Sequence, residues 1–339
     1  MSATGRSGAS AAEPRRSDAE SGGAADGSQI GWCAYLGPRG TFCEQAVSGL
    51  FPGDQVEPVP FASITATLDA VRSGLADRAV VPIESSVEGG VTATLDELVI
   101  GTPLAIRAEI LIPVEFALLV RAGTVLADIK LVGGHPVAQP QCRRWLAEHL
   151  PDAAWRQTLS NAEAARLVAD GQLDAALAGS FAAGHYRLTV LAEGINDKAS
   201  AVTRFVEIGL AGPPSDPTGA DRTSVVAFLA DDHPGALMDI LSQFAVRGVN
   251  LSRIESRPTG DGMGRYCFFI DCEGHVSQAR VGEALMGLRR ACSEVRFLGS
   301  YARADSNGSV GAGDPSVEDS EAEFTDATAW LDRIRSGLS

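Results

Sequence analysis

From Trp32 onward the chain alternates short runs of β-forming residues with stretches of helical period, and it does so in two successive sets. In the first set Cys33-Ala-Tyr-Leu36 reads as a strand and Thr41 to Leu50 as a helix capped by Thr41. Val56-Glu-Pro-Val-Pro60 is weakly extended, and Ile64 to Ser73 is a helix with Ile64, Leu68 and Val71 on one face. Ala79 to Ile83 reads as a buried strand and Val91 to Ile100 as a helix. The second set runs through strands Phe116 to Val120 and Lys130 to Val132, helices Pro136 to Leu150 and Asn161 to Asp170, strand Ala175 to Leu177, and helix Ser180 to Tyr186. Strands alternating with helices of this length predict parallel sheets with helices on their faces. Two sets predict two lobes. A strand from Thr203 to Ile208 is placed back in the first lobe, with Thr203 at the hinge.

The period then stops. Residues Gly209 to Gly219 are dense in Pro and Gly and read as a linker. Beyond it come strand Thr223 to Leu229, helix Pro234 to Val246, and strands Val249 to Ser256 and Tyr266 to Asp271 around a Gly260-Asp-Gly-Met-Gly264 turn. Helix Val276 to Arg289 and strand Val295 to Leu298 follow. This βαββαβ order is the split ferredoxin-like unit. Near the end, Ala327, Trp330, Leu331 and Ile334 form one apolar stripe, predicting a short helix that docks on the body.

Charge and composition exclude several classes. A net charge of -15 argues against a nucleic-acid partner, which needs clustered Lys and Arg. Residues Asp305 to Asp326 carry seven carboxylates and no Lys or Arg, so much of the acidity belongs to a tail. No run approaches the roughly 18 apolar residues of a membrane span. Met1 to Gln29 has no apolar segment of a secretory signal and reads as a disordered leader. Six Cys without a C-x-x-C pair suit buried thiols in a reducing cytoplasm. The five His are scattered, so no metal-ligand spacing is visible.

Six segments occur in order: Gly37-Pro-Arg-Gly-Thr-Phe42, Pro82-Ile-Glu-Ser-Ser86, His135-Pro-Val-Ala-Gln-Pro-Gln-Cys142, Ala201-Val-Thr-Arg-Phe205, Gly235-Ala-Leu-Met238 and Glu255-Ser-Arg-Pro258. In this order the chain resembles the prephenate dehydratase family, from Trp32 to Tyr301. The resemblance implies an α/β fold: a two-lobed, periplasmic-binding-protein-like catalytic domain plus a ferredoxin-like βαββαβ ACT domain that senses an amino acid. The division expected is a disordered leader (1–29), catalytic domain (30–209), linker (210–221), ACT domain (222–303), acidic disordered tail (304–325) and terminal helix (326–337). It also implies a cytoplasmic lyase of phenylalanine biosynthesis that needs no cofactor, takes prephenate and answers to phenylalanine as effector. A homodimer or homotetramer through the ACT domain is expected, since its sheet edges are open. Arogenate dehydratase, a non-aromatising prephenate decarboxylase, and a non-catalytic amino-acid-sensing protein remain as alternatives.

Decarboxylative dehydration needs a donor for the departing hydroxyl and an anchor for the side-chain carboxylate. The ring carboxylate must not be clamped, because its charge disappears in the transition state. Thr203 is the expected donor, Arg204 the expected bidentate anchor, and Phe205 a wall that excludes water. Turns leading into helices at Gly40-Thr41, Ser85-Ser86, Ser160-Asn161 and Gly179-Ser180 suit an anion. Such residues are ordinary helix caps, but agreement with the family's motifs makes Thr41, Ser85, Ser160 and Asn161 candidate substrate contacts; the resemblance adds Gln141, a neutral donor of its histidine-proline motif, and Glu84 either orients donors or makes a structural hydrogen bond. Effector residues are expected at Gly235, Ala236, Leu237, Met238, Asn250, Glu255, Ser256, Arg257 and Pro258. There the helix opened by Pro234-Gly235 takes the carboxylate, and Glu255 to Pro258 meets a second subunit. The chain departs from the family pattern at Cys43 (usually Ser), Ser85 (usually Asn), Gly134 (often Ser) and Ala199 to Val202 (where an Asn is usual). Each departure removes a polar group expected in the cleft.

Overall fold

The structure, a computed structural model, describes residues 30–198, 200–229, 233–259, 266–305 and 315–336. The leader, Ala199, the 260–264 turn and residues 306–314 of the acidic stretch lie outside the described residues. The first set of elements is β1 (Gly31–Leu36), α1 (Phe42–Leu50), β2 (Val56–Phe61), α2 (Ile64–Arg72), β3 (Arg78–Ser85), β4 (Gly89–Gly90), α3 (Thr92–Leu98) and β5 (Leu104–Pro113). The second is β6 (Ala117–Val120), β7 (Leu131–Gly134), α4 (Ala138–Gln141), α5 (Arg143–His149), β8 (Ala154–Gln157), α6 (Asn161–Ala169), β9 (Ala175–Ala178), α7 (Ala182–Tyr186) and β10 (Thr189–Ala192). Strand β11 (Val202–Leu210) leads to β12 (Asp221–Leu229), α8 (Ala236–Ala245), β13 (Leu251–Pro258), β14 (Tyr266–Glu273), α9 (Ala279–Ala291), β15 (Cys292–Ala302) and α10 (Pro315–Arg335).

Local chemistry explains the helix starts. Thr41 caps α1 by accepting from Glu44 N at 3.4 Å, Ser63 caps α2 through Ala66 N at 3.1 Å, and Ser160 caps α6 through Glu163 N at 3.0 Å. The helix expected from Pro136 to Leu150 is broken into α4 and α5 at Cys142, two residues after a proline that has no N–H to continue the ladder.

Three sheets result. The first has order β2-β1-β3-β11-β5, the second β10-β6-β9-β7-β8, and the third β13-β14-β12-β15. The first two are mixed, not wholly parallel as the alternation predicts. The chain leaves the first lobe along β5 and re-enters along β11, which inserts antiparallel between β3 and β5. Strand β6 likewise runs antiparallel to β9 and β10. The return of the Thr203 strand to the first lobe is as expected.

The first sheet is covered on both faces. With α1 it buries Cys33, Tyr35, Val80 and Phe205. On its other face, α2 and α3 join Ala34, Leu68, Val81, Leu95 and Val206, and this core continues into Val226, Phe269, Leu298 and Tyr301 of the third sheet. The third sheet's far face carries α8 and α9 over Val225, Ile240, Phe244, Ile270 and Leu288. Close approach of the two sheets depends on Gly299, whose φ is 147° and where a Cβ would overlap the backbone oxygen of Ile106 in β5.

The C-terminus departs from expectation. Helix α10 begins at Pro315, inside the acidic stretch, instead of at residue 326. Its apolar stripe does not dock: Ala327, Trp330, Leu331 and Ile334 are all exposed. The contact is polar instead. Glu321 accepts from Ala279 N at 2.6 Å and Arg280 N at 3.4 Å, filling the free N–H groups that open α9.

Candidate functional site

Between the first two lobes lies a cavity of about 720 Å³. The carboxyl ends of β1, β2, β7 and β9 all deliver residues to it, the arrangement expected of ligand sites in α/β sheets. From the first lobe come Gly40, Thr41, Cys43, Phe61, Pro82 and Phe205; from the second, His135, Ser160, Asn161, Glu163, Arg166 and Gly179. Two nine-residue helices, α1 and α6, thus open onto the same space from opposite sides. Their first N–H groups and positive dipole ends favour an anion with two charges.

The candidate contacts divide clearly. The Thr41 hydroxyl donates to Leu36 O at 3.0 Å, so its proton holds the turn. Ser160 accepts from Glu163 N and retains a proton to donate. Asn161 Oδ1 accepts from His135 N at 2.8 Å, fixing the His-Pro turn against α6, and its amide NH₂ keeps two donors. Phe205 lines the cavity, and its ring belongs to the core beneath α1. Thr203 is not among the lining residues but stands on the same strand face as Phe205, one two-residue step (about 7 Å) along β11.

Three expectations are corrected. Arg204 does not face the cavity. Side chains alternate along a strand, so with Thr203 and Phe205 on one face it must take the other. There it is 4 % exposed and its guanidinium meets Asp271 at 2.5 Å, Glu109 at 3.0 Å and Glu84 at 3.2 Å. Burial alone would push the group toward neutrality, but Asp271 foremost, then Tyr301, Glu109 and Glu84, outweigh it and hold the pKa above its ordinary value. Glu84 thus orients this cation, not a donor in the cleft. Ser85 is not in the cavity wall either. Its hydroxyl accepts from Val87 N at 3.2 Å and Glu88 N at 3.4 Å and so closes the turn after β3. Gln141 also lies outside the wall, and its carbonyl takes Asp197 N.

The departures from the family pattern acquire physical meaning. Cys43 lines the cavity, and burial pushes its thiol up to about 12, so it stands there as a neutral group. At Gly134 an added Cβ would come within 2.8 Å of the Trp155 ring and 3.4 Å of Asn161 Oδ1. The bulk of Trp155 thus occupies the room a serine would need.

The sequence reading missed a contact between the lobes at the cavity's edge. Glu44 of α1 accepts from Gly40 N and lies 3.3 Å from His185 Nε2 of α7, while the Tyr186 hydroxyl donates to Arg39 O at 2.7 Å. Thr41-Phe-Cys-Glu44 has capping-box spacing, the one signal that could have marked Glu44. Nothing local marked His185, Tyr186 or the Arg166 wall residue, which pairs with Asp170 at 2.7 Å. Among the described residues no group of three or more His, Cys, Asp or Glu could hold a metal ion, and no helix is long and apolar enough to cross a membrane.

The effector candidates lie on open surface within one chain. Gly235, in the left-handed conformation, opens α8, and Ala236 is buried behind it. Met238 is 62 % exposed, and Leu237 and Asn250 are also exposed. Strand β13 is an edge strand whose side chains alternate. Ser256 and Pro258 point outward, whereas Glu255 packs at Gly90 and Arg257 pairs with Asp96 at 2.8 Å. The last two therefore face the chain's own catalytic domain.

Comparison with known proteins agrees with this layout. Residues 33–212 match the family model for prephenate dehydratase, and residues 224–290 that for the ACT domain. The chain is 46% identical over 312 residues to a prephenate dehydratase of Mycobacterium marinum, covering 90% of this chain and 96% of that protein. Its fold is similar to the crystal structure of prephenate dehydratase from Arthrobacter aurescens in complex with L-Phe. That match has TM-score 0.82 and 48% identity over 90% of this chain and 99% of that one. It is also similar to GqqA, described as a novel type of quorum quenching acylase, with TM-score 0.72 and 28% identity over 80% and 97% of the two chains.

Proposed function

Because this chain belongs to the prephenate dehydratase family, with an ACT domain after the catalytic lobes, we propose that its interlobe cavity binds prephenate for decarboxylative dehydration to phenylpyruvate. The observation that carries the assignment of the site is the convergence of two capped helix N-termini on one cavity walled by Phe205. The substrate is a dianion and the cavity offers it dipoles and neutral donors.

In the reaction the bond from ring to carboxylate breaks and its electrons pass through the diene. The para hydroxyl leaves and, with a proton, becomes water; carbon dioxide and phenylpyruvate are the other products. Thr203 donates a hydrogen bond to the departing oxygen. Phe205 excludes water. Ser160 and the Asn161 amide hold the side-chain carboxylate, with Arg166 adding charge at the wall. The role given by sequence to Arg204 passes to these groups. Neutral Cys43 offers the ring carboxylate no charge to clamp it, as loss of its charge requires.

Phenylalanine is the proposed effector, bound at the α8 N-terminus between Gly235 to Met238 and Asn250, with a second copy of the ACT domain covering the exposed Leu237 and Met238. Six free, buried cysteines suit the cytoplasm in which we place it.

The test is turnover of prephenate followed by phenylpyruvate absorbance, with products weighed by mass spectrometry and arogenate run in parallel. Thr203→Ala should lower kcat by about 10²–10³ and Thr203→Ser should restore part of it. Near-normal kcat in Thr203→Ala sinks the site. A product that keeps its hydroxyl, or preference for arogenate, sinks the reaction assignment.

A further inference from the structure

The buried ion network behind the cleft is built crosswise between the two domains. Arg204 of β11, in the first lobe, reaches Asp271 of β14, while Arg222 of β12 reaches Glu109 of β5, with Nη1–Oε1 at 2.7 Å. All four side chains are almost wholly buried. Asp271 is held in place by the Ser224 hydroxyl at 2.6 Å, which in turn lies 2.7 Å from the Tyr301 hydroxyl. Removing ions from water is costly, and the same docking could be made by apolar contacts alone. A network placed here needs a reason beyond adhesion.

Its position supplies one. Ser224 and Asp271 are register partners on β12 and β14. Their neighbours Val225 and Ile270 face the other way, into the core under α8, against Ile240 and Phe244. Helix α8 thus packs directly on the two strands that carry Ser224 and Asp271 on their opposite face. On the catalytic side, Arg204 sits between Thr203 and Phe205 on β11, and the pairing with β3 shifts there, leaving Ile83 of β3 unpaired opposite the segment. Adjacent residues of one strand share its backbone and alternate between its faces, so a displacement of Arg204 is felt at Thr203 and Phe205.

We propose that Arg204 is a positioning residue through which the ACT domain sets the aim of Thr203 and Phe205, with the Asp271–Ser224 pair as the lever that carries effector binding at α8 to the cleft. This deepens, and rests on, the reading of the chain as a phenylalanine-inhibited dehydratase. It moves the Thr-Arg-Phe arginine from substrate contact to relay.

The experiment uses the full chain as wild type, Asp271→Asn and Ser224→Ala, with Glu321→Gln as a control that loosens α9 without touching the network. Phenylpyruvate formation is measured against phenylalanine concentration, and phenylalanine binding by calorimetry. The two network variants should bind phenylalanine within about threefold of wild type while its effect on turnover shrinks by about fivefold or more. The Glu321→Gln control should keep the full response. Should Asp271→Asn fail to fold, Ser224→Ala, which removes only one hydroxyl, decides alone. Full inhibition in the network variants overturns the relay and leaves the dehydratase reading intact. So does loss of phenylalanine binding in them, which would make the pair part of the effector site. A wild-type protein that turns over prephenate but ignores phenylalanine overturns the effector reading and the relay together.

Discussion

Gly40→Ala tests the cavity and the lobe contact in one substitution. Gly40 has φ +80°, and a Cβ there would lie 3.1 Å from Tyr186 Cε2 and 3.3 Å from the Ala182 Cβ. Two costs follow. The left-handed backbone costs an L-residue about 1–2 kcal/mol. The contact is some tenths of an ångström too close, and displacing helix α7 costs about 1 kcal/mol more. Gly53 separates the two, since it has φ +75° with nothing within 4 Å of an added Cβ. Gly53→Ala should therefore lose about 1–2 kcal/mol, and Gly40→Ala about 2–3 kcal/mol, by denaturant unfolding. Activity should part more sharply. Gly40 and Thr41 line the cavity, and α7 pushed outward opens it between Tyr186 and Arg39. Gly40→Ala should lower kcat/KM for prephenate about tenfold, equivalent to about 1.4 kcal/mol, while Gly53→Ala stays within about twofold. Equal losses in both variants, in stability and in rate, would refute the assignment of this loop to the cleft.

Gly299→Ala should cost about 3 kcal/mol or more by denaturant unfolding, because its Cβ meets backbone in β5 and no side chain can yield; a wild-type midpoint would remove Gly299 from the docking argument. Gly134→Ser should destabilise by about 1–2 kcal/mol and change near-ultraviolet dichroism, and Trp155→Phe in the same chain should recover part of the loss; no recovery would mean Trp155 is not the obstacle. For Asp271, burial pushes the carboxyl pKa up, but Arg204 foremost, then Arg253 and Ser224, holds it below the ordinary value of about 3.9. A depressed carboxyl contributes stability above its unfolded-state pKa and loses it as pH falls through the folded value. The stability difference between wild type and Asp271→Asn should thus be flat above about pH 5 and shrink below about pH 4; a difference independent of pH would contradict the ion pairing.

Much of this molecule is written locally. Thr41 and Ser160 cap their helices because a hydroxyl one residue before an apolar period has a free N–H to accept from, and that needs no knowledge of the fold. The two α/β sets, the Pro/Gly break and the βαββαβ order are periodic or compositional, so sequence determined them. Orientation across a strand is different. The segment Thr203-Arg-Phe205 says that Arg204 opposes its neighbours, but not which face meets the cavity and which the ACT sheet. Only the insertion of β11 between β3 and β5, with the third sheet packed behind, sends Arg204 to Asp271 and Phe205 to the cleft. The same holds for Ser85, whose hydroxyl is taken by its own turn, and for Glu44, whose partner His185 lies in the other lobe. Glu321 is the last case: an acidic residue in a tail by sequence, and the cap of α9 once the chain returns to it. Caps and periods involve atoms a few residues apart, whereas a site is made of faces whose partners are fixed only when distant segments pack.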